Sequence, residues 1–104
     1  MAFLAFTTRP SCADSYQIYS ADVSCIQSIV DAGQACLQAQ GVPDVVVANA
    51  GVSIGMDTRE RDDLDVMART FALNNTGMAA TFHPFVAAMA ARGSGALVGI
   101  ASVA

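Results

Sequence analysis

The stretch Asp44-Val45-Val46-Val47-Ala48, followed by Asn49-Ala50-Gly51, decides the fold. Its β-branched run does not alternate with polar residues, which is typical of a strand buried on both faces in a parallel sheet. The polar turn stands at the carboxyl end of that strand, where open parallel sheets bind ligands. The stretch therefore predicts an α/β domain with a candidate site at residues 49–51.

A helix is predicted between residue 24 and this strand. Ser24 and Gln27 match a capping box at its start. Gly41 suits a left-handed position at its end, and Pro43 prevents its continuation. Apolar residues at helical spacing predict one buried face, formed by Ile26, Ile29, Val30, Gly33 and Leu37.

Further strands and helices are predicted on both sides. Strands are expected at 16–21 and 96–102, with an additional one at 2–7, while 51–63 is expected to form surface loops. Residues 64–92 are predicted to be helical, with a break at Asn74-Asn75-Thr76-Gly77, four poor helix formers. One helical face is expected to hold Phe71, Met78, Phe82, Phe85 and Met89.

The alternation of strands and helices predicts a parallel sheet of three to four strands with flanking helices. The sequence has 104 residues, 54% of them hydrophobic and 13% charged, enough to bury the core of one domain. A net charge of −4 argues against nucleic-acid binding. No membrane-spanning run and no secretory signal is recognised, so a cytoplasmic protein is expected.

Metal binding is not predicted. The cysteines Cys12, Cys25 and Cys36 lack metal-ligand spacing and are expected to behave as small core residues in a reducing compartment. His83 has no carboxylate three or four residues away, which favours a packed or solvated side chain. The acidic residues between 60 and 65 are interpreted as a solvated helix start.

Polar residues recur where the predicted strands end. Asp22 follows the first strand, residues 49–51 follow the second, and Ser102 follows the third. Asn74 lies at the helical break. Such recurrence at one sheet edge indicates a site. The alternative is that strand ends become polar simply because the chain leaves the core.

Four successive motifs resemble those of the classical short-chain dehydrogenases/reductases. They are Asp22-Val23, Ala48-Asn49-Ala50-Gly51, Asn74-Asn75-Thr76-Gly77 and Gly99-Ile100-Ala101-Ser102-Val103-Ala104, and the similarity spans residues 16–104. The resemblance implies a Rossmann-like, doubly wound domain that binds NAD or NADP. It also implies hydride transfer between an alcohol and a carbonyl in a small-molecule substrate. The family usually forms homo-oligomers through two helices, of which 64–92 is one and the other is not among these residues, so the sequence leaves the oligomeric state open.

The resemblance also implies roles for cofactor-binding residues. The Asp22 carboxylate would accept from the adenine amino group and Val23 would supply a backbone contact. Asn49, Ala50 and Gly51 would brace the sheet and line the ribose, with Ala48 replacing the first Asn of the family motif. An acid at a helix N-terminus is the alternative for Asp22, since the helix dipole favours it there.

Two catalytic positions follow from the same resemblance. Asn74 matches the active-site Asn, whose helix break holds a water of the proton relay, and Gly77 fixes its register in the Asn-x-x-Gly pattern. Ser102 matches the Ser that hydrogen-bonds the substrate oxygen. The alternative for Asn74 is an N-cap of the second helical segment.

Two parts of the family pattern do not occur in these 104 residues: the Thr-Gly-x-x-x-Gly-x-Gly turn and the Tyr-x-x-x-Lys pair. The sequence is therefore interpreted as an internal fragment, a single incomplete domain over residues 1–104 that is inactive in isolation. Without the central strand, the strand ending near Ser20 and the one ending at Ala48 are expected to separate. Apolar edges or a non-native pairing would then result.

If the strand at 2–7 corresponds to the second strand of the family, Arg9 falls where a basic residue would meet the 2′-phosphate of NADP, which gives a slight preference for NADP over NAD. Two alternatives to an oxidoreductase remain open. One is an inactive remnant or a non-enzymatic partner of a full-length homologue. The other is a flavodoxin-like binding domain, which shares the element order but does not account for residues 49–51, Asn74 and Ser102 together.

Overall fold

The computed structural model describes the backbone of residues 2–6 and residues 17–102 in full. The described residues form four strands: β1 (Ala2–Phe6), β2 (Gln17–Ala21), β3 (Val45–Ala48) and β4 (Ala96–Gly99). The helices are α1 (Ile26–Gln40), α2 (Arg61–Phe71) and α3 (Gly77–Arg92), and a π turn at Ala72–Thr76 joins α2 to α3. The predicted α/β alternation is confirmed.

Strands β3 and β4 form the parallel part of the sheet. Val45 lies opposite Ala96 and Ala48 lies opposite Gly99. A parallel pair of this kind, connected through α2 and α3, is what a partial Rossmann-like fold requires.

The other two strands pair differently from a Rossmann sheet. β2 pairs with β1 in an antiparallel arrangement, with Phe6 opposite Gln17. Only residues 7–16 connect these strands, and such a short connection does not allow the crossover that parallel pairing needs. The predicted separation of β2 from β3 is therefore found, because the two strands belong to different sheets.

Helix α1 ends as predicted but begins differently. Gly41 has φ 81°, and its N–H donates to the Leu37 carbonyl oxygen over 2.9 Å. The predicted Ser24 cap is wrong. Cys25 is the N-cap residue and has no side-chain cap bond, while the Ser24 hydroxyl donates to Asp22 Oδ1 over 2.6 Å. The carboxylate two residues earlier is the stronger, charged acceptor for that hydroxyl.

The predicted break at residues 74–77 is replaced by the π turn, and the backbone stays helical from Arg61 to Arg92. Gly77 has φ −60° and ψ −38°, and its N–H donates to the Ala72 carbonyl oxygen. Poor helix formers therefore widen the helix here without ending it. Gly93, with φ 77°, ends α3 where a stop was predicted.

The core lies between α1, α3 and β3. Its most buried large side chains are Phe85, Ile29, Val46 and Cys36. The two helices approach closely because Gly33 has no side chain. A Cβ at that position would lie 2.5 Å from Cγ of Pro84.

Strand β3 is buried on one face. Val46 and Ala48 point into the core, whereas Val45 and Val47 are each 49% exposed. The prediction of burial on both faces is wrong for the described residues, because α1 and α3 both pack on the same side as Val46.

Arg92 joins the ends of several elements opposite the candidate site. Its guanidinium donates to the carbonyl oxygens of Val42 over 3.0 Å and Pro43 over 2.7 Å. It also donates to the carbonyl oxygen of Ser94 and lies 3.5 Å from Asp44 Oδ1. These contacts tie the end of α3 to the segment that enters β3.

Candidate functional site

A cavity of about 570 Å³ opens at the carboxyl ends of β3 and β4. Its walls are residues 49–53, which follow β3, and residues 100–102, which follow β4. Asn74, Asn75 and Met78 of the helical segment complete the lining. Of the residues predicted for the site, Asn49, Ala50, Gly51, Asn74 and Ser102 therefore border one space.

The side chain of Asn74 holds the loop that follows β3. Its Oδ1 accepts from the Val52 N–H and its Nδ2 donates to the Val52 carbonyl oxygen, each over 2.8 Å. The alternative in which Asn74 caps a helix is wrong, since it lies inside the π turn and Thr76 precedes α3. The amide is used to position the cavity wall.

Gly51 lies against the same amide. A Cβ at this position would be 3.2 Å from Asn74 Oδ1, closer than most real contacts. A larger residue would therefore press on the Asn74 amide and disturb its two hydrogen bonds to Val52. Because glycine has no side chain, the backbone of residue 51 is open to the cavity.

Ser102 is exposed at the opposite wall. The pairing of β3 with β4 extends almost to it, because the Ile100 N–H donates to the Ala48 carbonyl oxygen over 3.0 Å. This bond sets the position of the segment that carries the Ser102 hydroxyl.

Asp22 and Val23 do not belong to the cavity lining. The hydroxyl and the backbone N–H of Ser24 both donate to Asp22 Oδ1, over 2.6 and 2.9 Å, and these bonds lower the pKa of the carboxyl. The Val23 carbonyl oxygen lies 3.5 Å from the Cβ position of Gly77, so this turn packs beside the start of α3. Arg9 lies outside the described residues.

Sequence reasoning did not assign Met78, Asn75 or Ser53 to the site. Met78 was interpreted as a core residue, yet it is half-buried and lines the cavity. Its position four residues after Asn74 could have indicated this, since residues four apart share a helix face.

The charged side chains of residues 17–102 lie outside the cavity lining. Asp57 accepts from Arg59, which lowers the pKa of the Asp57 carboxyl, and Arg61 pairs with Asp65 over 3.0 Å. Among residues 2–6 and 17–102, no group of three side chains is placed to hold a metal ion. In the same part of the chain, no helix has the length and apolar character needed to cross a membrane.

The cysteines were expected to be core residues, and the two that are described differ. Cys36 is buried, and burial raises the pKa of its thiol. Cys25 is exposed, so the expectation is wrong for it. Cys12 lies outside the described residues.

A sequence profile of the family described as short chain dehydrogenase matches residues 6–104. The chain belongs to this family. No curated protein sequence matches it significantly.

Solved structures of this short-chain dehydrogenase family have the same fold. A short-chain dehydrogenase from Streptomyces avermitilis is 30% identical, with a TM-score of 0.71 over 80% of this chain and 30% of its own. A metagenomic short-chain oxidoreductase in complex with NADP is 30% identical, with a TM-score of 0.67 over 81% of this chain and 38% of its own.

A more distant similarity adds support for the fold alone. A 7α-hydroxysteroid dehydrogenase complexed with NADH and 7-oxo glycochenodeoxycholic acid is 20% identical, with a TM-score of 0.70 over 79% of this chain and 31% of its own. The chain thus spans about a third of the length of these three structures.

Proposed function

We propose that the cavity is the nicotinamide- and substrate-binding part of an NAD(P)-dependent oxidoreductase, which interconverts an alcohol and a carbonyl. One observation carries the proposal. Residues 49–51, Asn74 and Ser102 come from three separate segments, and all of them line the same cavity. The 30% identical neighbour in complex with NADP supports a nicotinamide cofactor.

The residues present fit such a cofactor. A volume of about 570 Å³ falls in the range of small-molecule sites, and Gly51 leaves the backbone accessible to a ribose or nicotinamide group. When bound, the nicotinamide would supply the hydride acceptor or donor. Asn49, Ala50 and Gly51 would hold the adjoining ribose, and the Ser102 hydroxyl would donate to the substrate oxygen.

Asn74 takes part in this proposal through the main chain. Its amide is committed to Val52 by two hydrogen bonds. The water of the proton relay, which the family resemblance implies at this position, would then be held by the backbone of the π turn, and the Asn74 side chain is a positioning group.

A second candidate function is that the chain binds the cofactor but does not catalyse the reaction. Such a chain could act as a non-enzymatic partner of a full-length homologue. The 104 residues contain no lysine, and Tyr16 and Tyr19 are the two tyrosines. The Tyr19 hydroxyl donates to Gln17 Oε1 over 2.6 Å and does not line the cavity. A missing general acid lowers the rate by about 10²–10⁴-fold, so the isolated chain is expected to show no turnover.

Titration of the 104-residue chain with NADPH and with NADH, followed by nucleotide fluorescence and thermal shift, tests the proposal. We expect saturable binding, tighter for NADPH if Arg9 meets the 2′-phosphate. Gly51→Val should abolish binding, because the valine side chain would keep the cofactor from approaching the backbone of residue 51. Ser102→Ala should leave cofactor affinity unchanged.

Absence of saturable binding by both nucleotides would contradict the proposed cofactor site. Oxidation of NADPH or NADH in the presence of a ketone would contradict the second candidate, because that candidate requires binding without turnover.

A further inference from the structure

Met78, which lines the cavity, lies close to Gly99. Met78 lies in the first turn of α3 and Gly99 is the last residue of β4. A Cβ on Gly99 would be 2.7 Å from Sδ of Met78 and 3.0 Å from its Cε. The end of the Met78 side chain therefore occupies the space that any larger residue at position 99 would need.

The arrangement places an apolar group beside the polar walls. Met78 lines the cavity together with Ser102, which follows Gly99 by three residues. A substrate whose oxygen accepts from the Ser102 hydroxyl would therefore occupy a space that the Met78 side chain also lines.

We infer that Met78 is a specificity-determining residue that contacts the apolar substituent of the carbonyl or alcohol substrate, and that Gly99 sets how far its thioether reaches into the cavity. The inference rests on the proposed function. Methionine suits the role because its unbranched, polarisable side chain adapts to apolar groups of different shape.

Substitutions at the two positions should act in opposite directions. Met78→Ala removes the thioether and enlarges the space available to a bulky substituent. Gly99→Ala places a Cβ at the occupied position, so the flexible end of Met78 must move. Because Met78 already lines the cavity, we expect the displaced thioether to reach further into it. Met78→Leu keeps an apolar side chain of similar volume and is the matched control.

The experiment uses the 104-residue chain labelled with ¹³C in its methionine methyl groups, with NAD⁺ and NADP⁺ both added. The Met78 resonance is assigned by its loss in Met78→Leu. Acetone and acetophenone are the probes, and their dissociation constants are measured from backbone amide and methyl shifts. In the wild-type chain, acetophenone should shift the Met78 methyl resonance more than acetone does.

Met78→Ala should raise the preference for acetophenone over acetone by about tenfold, and Gly99→Ala should lower it by a similar factor, since a few carbon atoms of pocket volume discriminate to this extent. Met78→Leu should keep the ratio within about threefold of wild type. If Gly99→Ala does not fold, the Met78 pair decides the question.

This inference alone would be overturned if the cofactor binds but neither ketone shifts the Met78 methyl resonance. It would also be overturned if the cofactor binds and Met78→Ala leaves the ratio of the two ketones' dissociation constants unchanged. Failure of both nucleotides to shift the amides of residues 49–51 and Ser102 would overturn the proposed function and this inference together. The two failures are therefore distinguishable.

Discussion

Asn74 and Val52 are joined by a pair of hydrogen bonds in which the side-chain amide of one meets both backbone polar groups of the other, each over 2.8 Å. The helical segment and the loop after β3 are thereby fixed relative to each other. Because Asn74 lies in the π turn and Val52 lines the cavity, these two hydrogen bonds fix the cavity wall to the π turn.

Asn74→Ala should release the loop, because it removes a donor and an acceptor at once. We expect a loss of about 1–2 kcal/mol in the free energy of unfolding in urea and faster hydrogen exchange at the Val52 amide. Asn75→Ala, at the exposed neighbouring position, should change stability by less than about 0.5 kcal/mol. Equal losses of stability in the two variants would contradict a specific role for the hydrogen bonds between Asn74 and Val52.

Gly33→Ala should destabilise the packing of α1 on α3. The added Cβ would lie 2.5 Å from Cγ and 2.9 Å from Cβ of Pro84. The proline ring is closed on its own backbone nitrogen, so it cannot rotate to another rotamer and relieve the clash. A cost of about 1–3 kcal/mol is expected, read as a lower midpoint of thermal or urea unfolding. Gly55→Ala is the control, because nothing lies within 4 Å of its Cβ position. A stable Gly33→Ala variant would show that the helices separate easily.

Arg92→Ala should weaken the connection between α3 and the start of β3. The guanidinium donates to three backbone carbonyl groups, so its loss is expected to cost about 1–2 kcal/mol in chemical unfolding. Arg92→Lys should recover only part of this, because an ammonium lacks the planar fork. Arg61→Ala, which breaks an exposed ion pair, should cost less than about 0.5 kcal/mol. A similar loss in both alanine variants would argue against the bracing role of Arg92.

Ser24→Ala should raise the pKa of Asp22 toward its ordinary value. The Ser24 hydroxyl and then its backbone N–H hold that pKa low, and the substitution removes the first. The pKa of Asp22 is lower in the folded state than in the unfolded state. The ionised carboxylate therefore stabilises the fold at pH values above its ordinary pKa, and this stabilisation is lost as the pH falls through the folded-state pKa. Carboxyl ¹³C titration measures the shift, and Ser53→Ala is the control. An unmoved Asp22 pKa in Ser24→Ala would refute the assigned cause.

Much of the fold was predictable because local signals agree with tertiary structure. The Val-rich run forms β3, and Gly41 and Gly93 end α1 and α3 with positive φ. Polar residues at strand ends gather at one sheet edge because parallel strands share a direction. The cavity lined by residues 49–51 and Ser102 follows from that geometry.

The remaining features depend on tertiary contacts that sequence spacing does not reveal. Ser24 bonds to Asp22 in preference to the helix, and β2 pairs with the strand that its short connection can reach. The predicted face shared by Phe71 and Met78 is wrong, since Phe71 is 59% exposed while Met78 is half-buried. The π turn lies between them. The poor helix formers predicted an irregularity at this place, but helix propensity does not distinguish a break from a π turn.

The π turn also determines how the chain would respond to a change in length. A π turn contains about one residue more than a turn of α-helix, so it takes up an extra residue while the helix faces before and after it keep their relative direction. Deleting a single residue from Ala72–Thr76 would therefore restore a regular α-helix and leave α2 oriented toward α3 much as it is now. The side chains within the turn would change direction instead, Asn74 among them.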